Sequence, residues 1–189
     1  RSQHRTKGAL QTDYDHRYGS GPRPRHRPSA TVIRIAPTHF GQMIQAAETA
    51  YPRECCGLLA GTEASDGAVT VTRVVVSDNV HPTGGNDRFE VDPRVRFNLM
   101  RELGEIGDKP QGSERIIGHY HSHPDHPAKP SAHDLTCAFE LTFVWVIIGV
   151  DDGTVRSVAA HKLNDDELGF HQIPLRDANG STYAIASDQ

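Results

Sequence analysis

Three histidines alternate with other residues near the middle of the chain, and an aspartate follows them after a short loop. If this segment is a strand, His119, His121 and His123 share one face, because successive side chains of a strand point to opposite faces. Two imidazoles whose Cα atoms lie roughly 6–7 Å apart can converge on one ion. A catalytic zinc takes three protein ligands and leaves a fourth position for water. His121, His123 and Asp134 are therefore the candidate ligands, provided that the loop folds back.

A hydrolytic metal site also needs groups that move a proton and stabilise an oxyanion. Bound zinc can lower the pKa of its water to about 7, and a carboxylate outside the ligand set usually takes that proton and delivers it to a leaving amine. Glu54 is the candidate, because an ionisable residue at the mouth of a buried strand needs a reason to be there. Ser131 can donate a hydrogen bond to the oxyanion that develops on the attacked carbonyl.

Each of these residues also has an ordinary structural explanation. Ser131-x-x-Asp134 before an apolar run fits a helix capping box, and by itself this pattern favours the cap. Histidine pairs on strands are more often core or surface residues than ligands, and a single Glu54 is more often a solvated strand end. The combination of two histidines on one face, an adjacent proline, a constrained loop, and then Ser and Asp at helical spacing favours the metal site.

The elements that must position these residues alternate between strands and helices. A first helix begins at Pro37, a second begins at Pro93 after the N-cap Asp92, and a short third helix is predicted over 131–140. Apolar runs predict strands over 55–60, 69–76, 116–122 and 143–150, with a hairpin partner at 155–160 and an edge strand at 168–173. Phe89 and Val91 indicate a further short strand. This order predicts a three-layer α/β sandwich with a mixed central β-sheet and helices on both sides.

Composition divides the chain and excludes some functions. The first thirty residues hold seven of the 20 Lys and Arg, and we interpret 1–30 as a flexible basic tail, 31–175 as the domain and 176–189 as a polar tail. The remaining 13 basic and 22 acidic residues argue against nucleic-acid binding. The longest apolar stretch is too short for a membrane span. Three cysteines and no visible secretory signal predict a cytoplasmic protein.

The spacing Glu54 … His121-Ser122-His123-Pro124-x6-Ser131-x2-Asp134 resembles the signature of the JAMM, or MPN-plus, metalloprotease family. Residues 54–61 resemble that family's Glu-containing strand, and residues 89–93 resemble the segment that leads into its middle helix. The likeness covers roughly 32–175 and includes every signature residue. The compact size most resembles the bacterial branch, which includes CysO–cysteine peptidase-like enzymes.

The resemblance implies a fold, a cofactor and a substrate class. The fold is the family's α/β sandwich, which is related to cytidine deaminases. His121, His123 and Asp134 are implied as ligands of Zn2+, Glu54 as the general acid/base and Ser131 as the oxyanion partner. The substrate is a peptide or isopeptide bond after the C-terminal Gly-Gly of a ubiquitin-like or sulfur-carrier protein.

Two alternative functions differ in their chemistry. One is a non-catalytic scaffold on the same fold, and the other is a cysteine hydrolase that uses Cys55 or Cys56. The sequence leaves open the individual substrate, the preference for peptide or isopeptide bonds, and the oligomeric state.

Overall fold

The structure, a computed structural model, describes residues 31–83, 87–105, 112–164 and 168–183. Within them the chain forms one mixed sheet of eight strands and three helices. The strands are β1 (Ile33–Arg34), β2 (Cys56–Glu63), β3 (Val69–Ser77), β4 (Arg115–Pro124), β5 (Val144–Asp151), β6 (Thr154–Leu163), β7 (Phe170–Ile173) and β8 (Leu175–Arg176), and the helices are α1 (Pro37–Ala50), α2 (Pro93–Leu103) and α3 (Ala132–Thr136). Across the sheet the order is β7-β6-β5-β4-β2-β3-β1-β8.

The strand that carries the histidines lies in the middle of this sheet. β4 is antiparallel to β2 and parallel to β5, so both of its edges are paired. All of its residues after Arg115 are buried, and β5 is buried up to Val150. The uninterrupted apolar sequence of β5 is typical of a strand that is covered on both faces. The predicted mixed α/β fold is confirmed.

The core consists of two clusters on opposite faces of the sheet. Leu59 packs with Met43 of α1, whereas its neighbour Leu58 packs with Leu99 of α2. Because adjacent side chains of a strand point to opposite faces, α1 and α2 cover different faces. Leu58 is paired with His119, so the histidine face of β4 is the α2 face. This division supports the three-layer sandwich, which stays a prediction.

The first two helices begin where the sequence predicts. Pro37 and Pro93 occupy the first turns of α1 and α2, where an N–H group would have no partner in the helix. The Asp92 side chain accepts a hydrogen bond from the Arg94 N–H at the start of α2. Gly104 ends that helix with a φ of 64°, a left-handed conformation that glycine adopts without a steric cost.

Two predicted elements are shorter than expected. The third helix ends at Thr136 rather than near residue 140, because the chain turns there. Glu140 forms an ion pair with Arg96 of α2, and the Phe143 N–H donates to the Glu140 carbonyl as the chain enters β5. The short strand expected around residues 89–91 is reduced to a single bridge between Asn79 and Val91.

The C-terminal segment is attached to the body of the domain. Within the segment interpreted as a polar tail, Arg176 belongs to β8, which pairs in parallel with β1, and Tyr183 stacks on Phe40 with ring centroids 3.8 Å apart. The polar composition of this segment does not reveal its attachment, because backbone hydrogen bonds and one aromatic ring hold it. The basic tail 1–30 and residues 184–189 lie outside the described residues, and the domain division stays a prediction.

Candidate metal centre

The two histidines of the signature and the aspartate converge at the end of β4. His121 Nε2 lies 3.0 Å from His123 Nε2, and the two Asp134 oxygens each lie 3.4 Å from one of these nitrogens. All three residues are buried. Ligand atoms placed tetrahedrally around zinc at its usual 2.0–2.1 Å lie about 3.3 Å apart. One ligand atom from each of the three residues lies within 4.8 Å of the others, so the group is one that could hold a metal ion.

The loop between β4 and α3 brings Asp134 to this point. It starts at Asp125, whose φ of 56° reverses the chain in a conformation that aspartate tolerates better than most residues. It then passes over β5 at Gly149, where an added Cβ would lie 2.8 Å from the His126 carbonyl oxygen. The Ala128 N–H donates to Ser157 Oγ at 3.2 Å and anchors the loop to β6. The fold-back that the metal site requires is present.

Asp134 caps α3 and faces the histidines at the same time. Its N–H donates to Ser131 Oγ at 3.1 Å, and its Oδ2 accepts from the Ser131 N–H at 2.6 Å and from the Ser131 hydroxyl at 2.8 Å. A carboxylate has about four lone-pair sites, so Oδ1 stays directed at His121. The capping box and the metal-facing carboxylate, which the sequence presented as alternatives, occur together.

The protonation states of the three residues suit a cation. Burial lowers the pKa of His121 and keeps its imidazole neutral. Burial opposes the charge of Asp134, but hydrogen bonds with His121 and His123 hold the pKa of its carboxyl well below the usual range. Burial also disfavours a charged His123, yet Asp134 raises the pKa of that imidazole above its ordinary value. A metal ion would compete with this proton, since a ligand must be deprotonated.

The outer nitrogens of the two imidazoles are held differently. His123 Nδ1 lies 3.3 Å from the Pro127 carbonyl oxygen, the kind of contact that fixes the tautomer and leaves Nε2 for a metal. His121 Nδ1 is buried and has no hydrogen-bond partner among the described residues. Its ring instead stacks on Phe89, with the centroids 4.3 Å apart. Ring packing therefore orients His121.

Glu54 lies two residues before the start of β2, and burial raises the pKa of its carboxyl to about 8. The side chain is 5 % exposed. It lines a cavity of about 330 Å³ together with His123 and Ser131. The structure thus brings all five predicted site residues to one place, with the carboxyl of Glu54 near the three potential ligands.

The comparisons with known proteins agree with this geometry. The family described as prokaryotic homologs of the JAB domain matches residues 37–161. A desampylase of Haloferax volcanii is 32 % identical over 117 residues, which are 62 % of this chain and 74 % of the relative. The chain belongs to the prokaryotic JAB family. The resemblance to JAMM metalloproteases is confirmed.

Solved structures share the fold of this JAB domain. The solution structure of protein DSY2949 from Desulfitobacterium hafniense is 27 % identical, with a TM-score of 0.62 over 77 % of this chain and 92 % of that one. A solution structure of a protein from Salinibacter ruber is 31 % identical, with a TM-score of 0.58 over 80 % of this chain and 95 % of that one.

Three residues of this JAB domain that support the site were not identified from the sequence. Ser122 Oγ accepts from the Cys55 N–H at 2.8 Å and ties the residue after Glu54 to β4. Asn79 donates to the Glu54 carbonyl at 3.1 Å and to the Arg88 carbonyl at 2.9 Å, so it joins two loops at the site. Phe89 is the third, through its stacking on His121. Of the three, only Ser122 could have been identified from the sequence, because it lies between the two histidines of the signature.

The adjacent cysteines do not have the environment of a nucleophile. Cys55 and Cys56 are buried, and burial raises the pKa of their thiols to about 11 and about 12. The thiolate is the reactive form of cysteine, so both side chains stay protonated near neutral pH. The cysteine-hydrolase alternative has no support in this JAB domain.

The raised pKa of Glu54 has a consequence for the stability of the metal-free domain. The folded pKa of about 8 exceeds the ordinary value of 4.5, so the stability contributed by this group is complete below pH 4.5 and is lost as the pH rises through 8. We expect Glu54→Gln to avoid this loss. With a chelator present, the variant should gain up to about 4 kcal/mol over the natural protein between pH 5 and 9, at about 1.4 kcal/mol per pKa unit.

Urea unfolding at a series of pH values measures this difference. Glu90→Gln, which changes an exposed carboxyl, is the matched control and should follow the natural protein at every pH. A constant offset between Glu54→Gln and the natural protein would show that Glu54 does not titrate abnormally.

None of the helices in the described ranges is long and apolar enough to cross a membrane.

Proposed function

We propose that this protein is a zinc-dependent metallopeptidase that hydrolyses the bond after the C-terminal Gly-Gly of a ubiquitin-like or sulfur-carrier protein. The observation that carries the proposal is the buried group of His121, His123 and Asp134, whose ligand atoms have metal-site spacing, beside the buried carboxyl of Glu54. Carboxylate and imidazole ligands suit zinc, and the JAB family is typically zinc-dependent. We also propose the three-layer sandwich and a cytoplasmic location.

In the proposed reaction, different groups activate the water, hold the metal, transfer the proton and stabilise the oxyanion. A bound zinc ion would act as a Lewis acid and would lower the pKa of its water to about 7. His121, His123 and Asp134 would hold the ion. Glu54, outside the ligand set, takes a proton from the attacking water and delivers it to the leaving amine. Burial suits it to this exchange, because it raises the pKa of the carboxyl to about 8, close enough to neutral pH for the group both to accept and to donate a proton.

Ser131 is proposed to stabilise the oxyanion of the attacked carbonyl. In the structure its hydroxyl donates to Asp134 Oδ2 at 2.8 Å. A hydroxyl has one proton to donate, so Ser131 must rotate towards the substrate during the reaction. The Ser131 N–H continues to bond to the same Asp134 oxygen, which keeps α3 capped while the hydroxyl turns.

The substrate class rests on the family and on the cavity. The similarity to a desampylase supports a hydrolase that acts on a ubiquitin-like modifier. The cavity of about 330 Å³ that contains Glu54 and His123 can take the leaving group, while glycines before the scissile bond place no side chains against the buried metal-binding group. An extended tail ending in Gly-Gly is therefore the partner that we propose.

The test is cleavage of ubiquitin-like and sulfur-carrier proteins that carry a C-terminal extension after Gly-Gly. We expect mass spectrometry of the zinc-loaded enzyme reaction to show a product that ends at Gly-Gly. The product should be absent with a chelator and return when zinc is restored. A matched substrate with Ala-Ala in place of Gly-Gly should be cleaved more than tenfold more slowly. Equal cleavage of both, or cleavage that survives the chelator, would contradict the proposal.

A further inference from the structure

A second cavity lies on the other side of the metal-binding group from Glu54. Its volume is about 310 Å³. It includes Asp134 and His119 in its lining, together with apolar walls formed by Leu58, Val91 and Trp145. It is therefore continuous with the proposed metal centre, yet it does not include Glu54, His123 or Ser131, which line the first cavity.

The order of residues along β4 assigns the two cavities to different sides of the scissile bond. His123 is nearest to Glu54, His121 follows, and His119 is furthest from the strand end. A proton donor must lie within hydrogen-bond reach of the leaving amine. The leaving group must therefore be on the Glu54 side. The chain that precedes the scissile carbonyl then extends towards the second cavity.

Most of the lining of the second cavity is apolar, and its carboxylate Asp134 belongs to the metal-binding group. The ring of His119 lies 4.1 Å from that of Trp145 and 5.4 Å from that of Phe89, measured between centroids. Arg96 also lines the cavity, but its charge is matched by an ion pair with Glu140. Such a cavity favours an uncharged apolar group over an acidic or basic one.

We propose that the second cavity binds a large apolar side chain of the substrate, that of the residue immediately before Gly-Gly. This inference rests on the proposed function. Two extended residues span about 7 Å, and neither glycine has a side chain. The residue before them is thus the first that can fill a cavity next to the metal-binding group. The enzyme would select its substrates by the apolar character of this residue.

Trp145 provides a direct measure of occupancy, because it is the single tryptophan of the chain and lines the cavity. The probes are three synthetic peptides that end in Leu-Gly-Gly, Ala-Gly-Gly and Asp-Gly-Gly. We expect a saturable change in the fluorescence of the zinc-loaded natural protein, with a Kd about tenfold lower for the leucine peptide than for the alanine peptide. The aspartate peptide should bind more weakly than either.

A matched pair of variants localises the effect. Val91→Phe fills the cavity and should abolish the preference for leucine over alanine. Val76→Phe introduces the same side chain at an exposed position of β3 outside this cavity and should leave the preference unchanged. Equal Kd values for the leucine and alanine peptides on the natural protein would overturn the proposal, whether or not Val91→Phe folds.

The outcome separates this inference from the proposed function. Cleavage of Gly-Gly fusions without a preference for the residue before Gly-Gly would contradict only the role proposed for the second cavity. Selective binding of the leucine peptide without cleavage of any fusion would contradict only the hydrolase.

Discussion

We expect the substitution Glu54→Gln to lower the rate of cleavage after Gly-Gly by about 10³-fold, within the range that general acid–base catalysis contributes. Glutamine has nearly the same shape as glutamate but cannot take a proton from water or deliver one to an amine. Because Glu54 lies outside the group formed by His121, His123 and Asp134, the bound zinc should be unchanged.

Two measurements on the same preparation check this prediction, the cleavage rate by mass spectrometry and the zinc content by elemental analysis. Glu90→Gln is again the matched control, since it removes an exposed carboxyl from the loop that follows β3. An unchanged rate in Glu54→Gln would exclude Glu54 as the base. A loss of zinc would instead identify Glu54 as a ligand.

The second large effect is expected from His121→Ala, which removes one of the three potential ligands. Bound zinc should fall from about one per chain to a small fraction of that, because two ligands do not make a stable site. Activity should fall by more than the roughly 100-fold that follows loss of a residue that only orients a ligand. Zinc should also no longer raise the melting temperature, since the ion then stabilises the folded state too weakly.

His126→Ala is the control for this variant. His126 lies in the loop between β4 and α3, close to the potential ligands, but its Nδ1 faces the Pro124 carbonyl oxygen at 2.8 Å, and it does not belong to the group that could hold a metal. Zinc content and thermal stabilisation by zinc should stay close to those of the natural protein. Retention of zinc by His121→Ala would show that other residues hold the ion.

Much of the site could be predicted because it depends on regular geometry. The period of two in β4 predicted that His121 and His123 share a face, and the two nitrogens do face each other in the structure. The helix that begins near Ser131 was also predicted, but its length was not. Beyond its end at Thr136 the chain turns, and Glu140 forms an ion pair with Arg96, a contact between distant segments that no local pattern contains.

The roles of Asn79 and Phe89, which support the site, also could not be predicted from local sequence patterns. Asn79 lies in a loop of strong turn-forming residues, where an asparagine is expected for local reasons. Its side chain instead bonds to the carbonyls of Glu54 and Arg88, from two other parts of the chain. Phe89 was expected in a short strand, but its ring covers His121. Such roles depend on long-range contacts and cannot be derived from spacing.

The sequence by itself determined the mixed order of strands and helices, the starts of α1 and α2, and the set of residues able to bind metal, because periodicity, capping and ligand chemistry are local properties. The tertiary structure decided whether Asp134 caps its helix or faces the histidines, and it does both because a carboxylate has two oxygens. It also decided the environment of Glu54. Burial of that carboxyl beside the potential ligands depends on β2 and β4 being neighbours in the sheet, and only the packed fold makes them so.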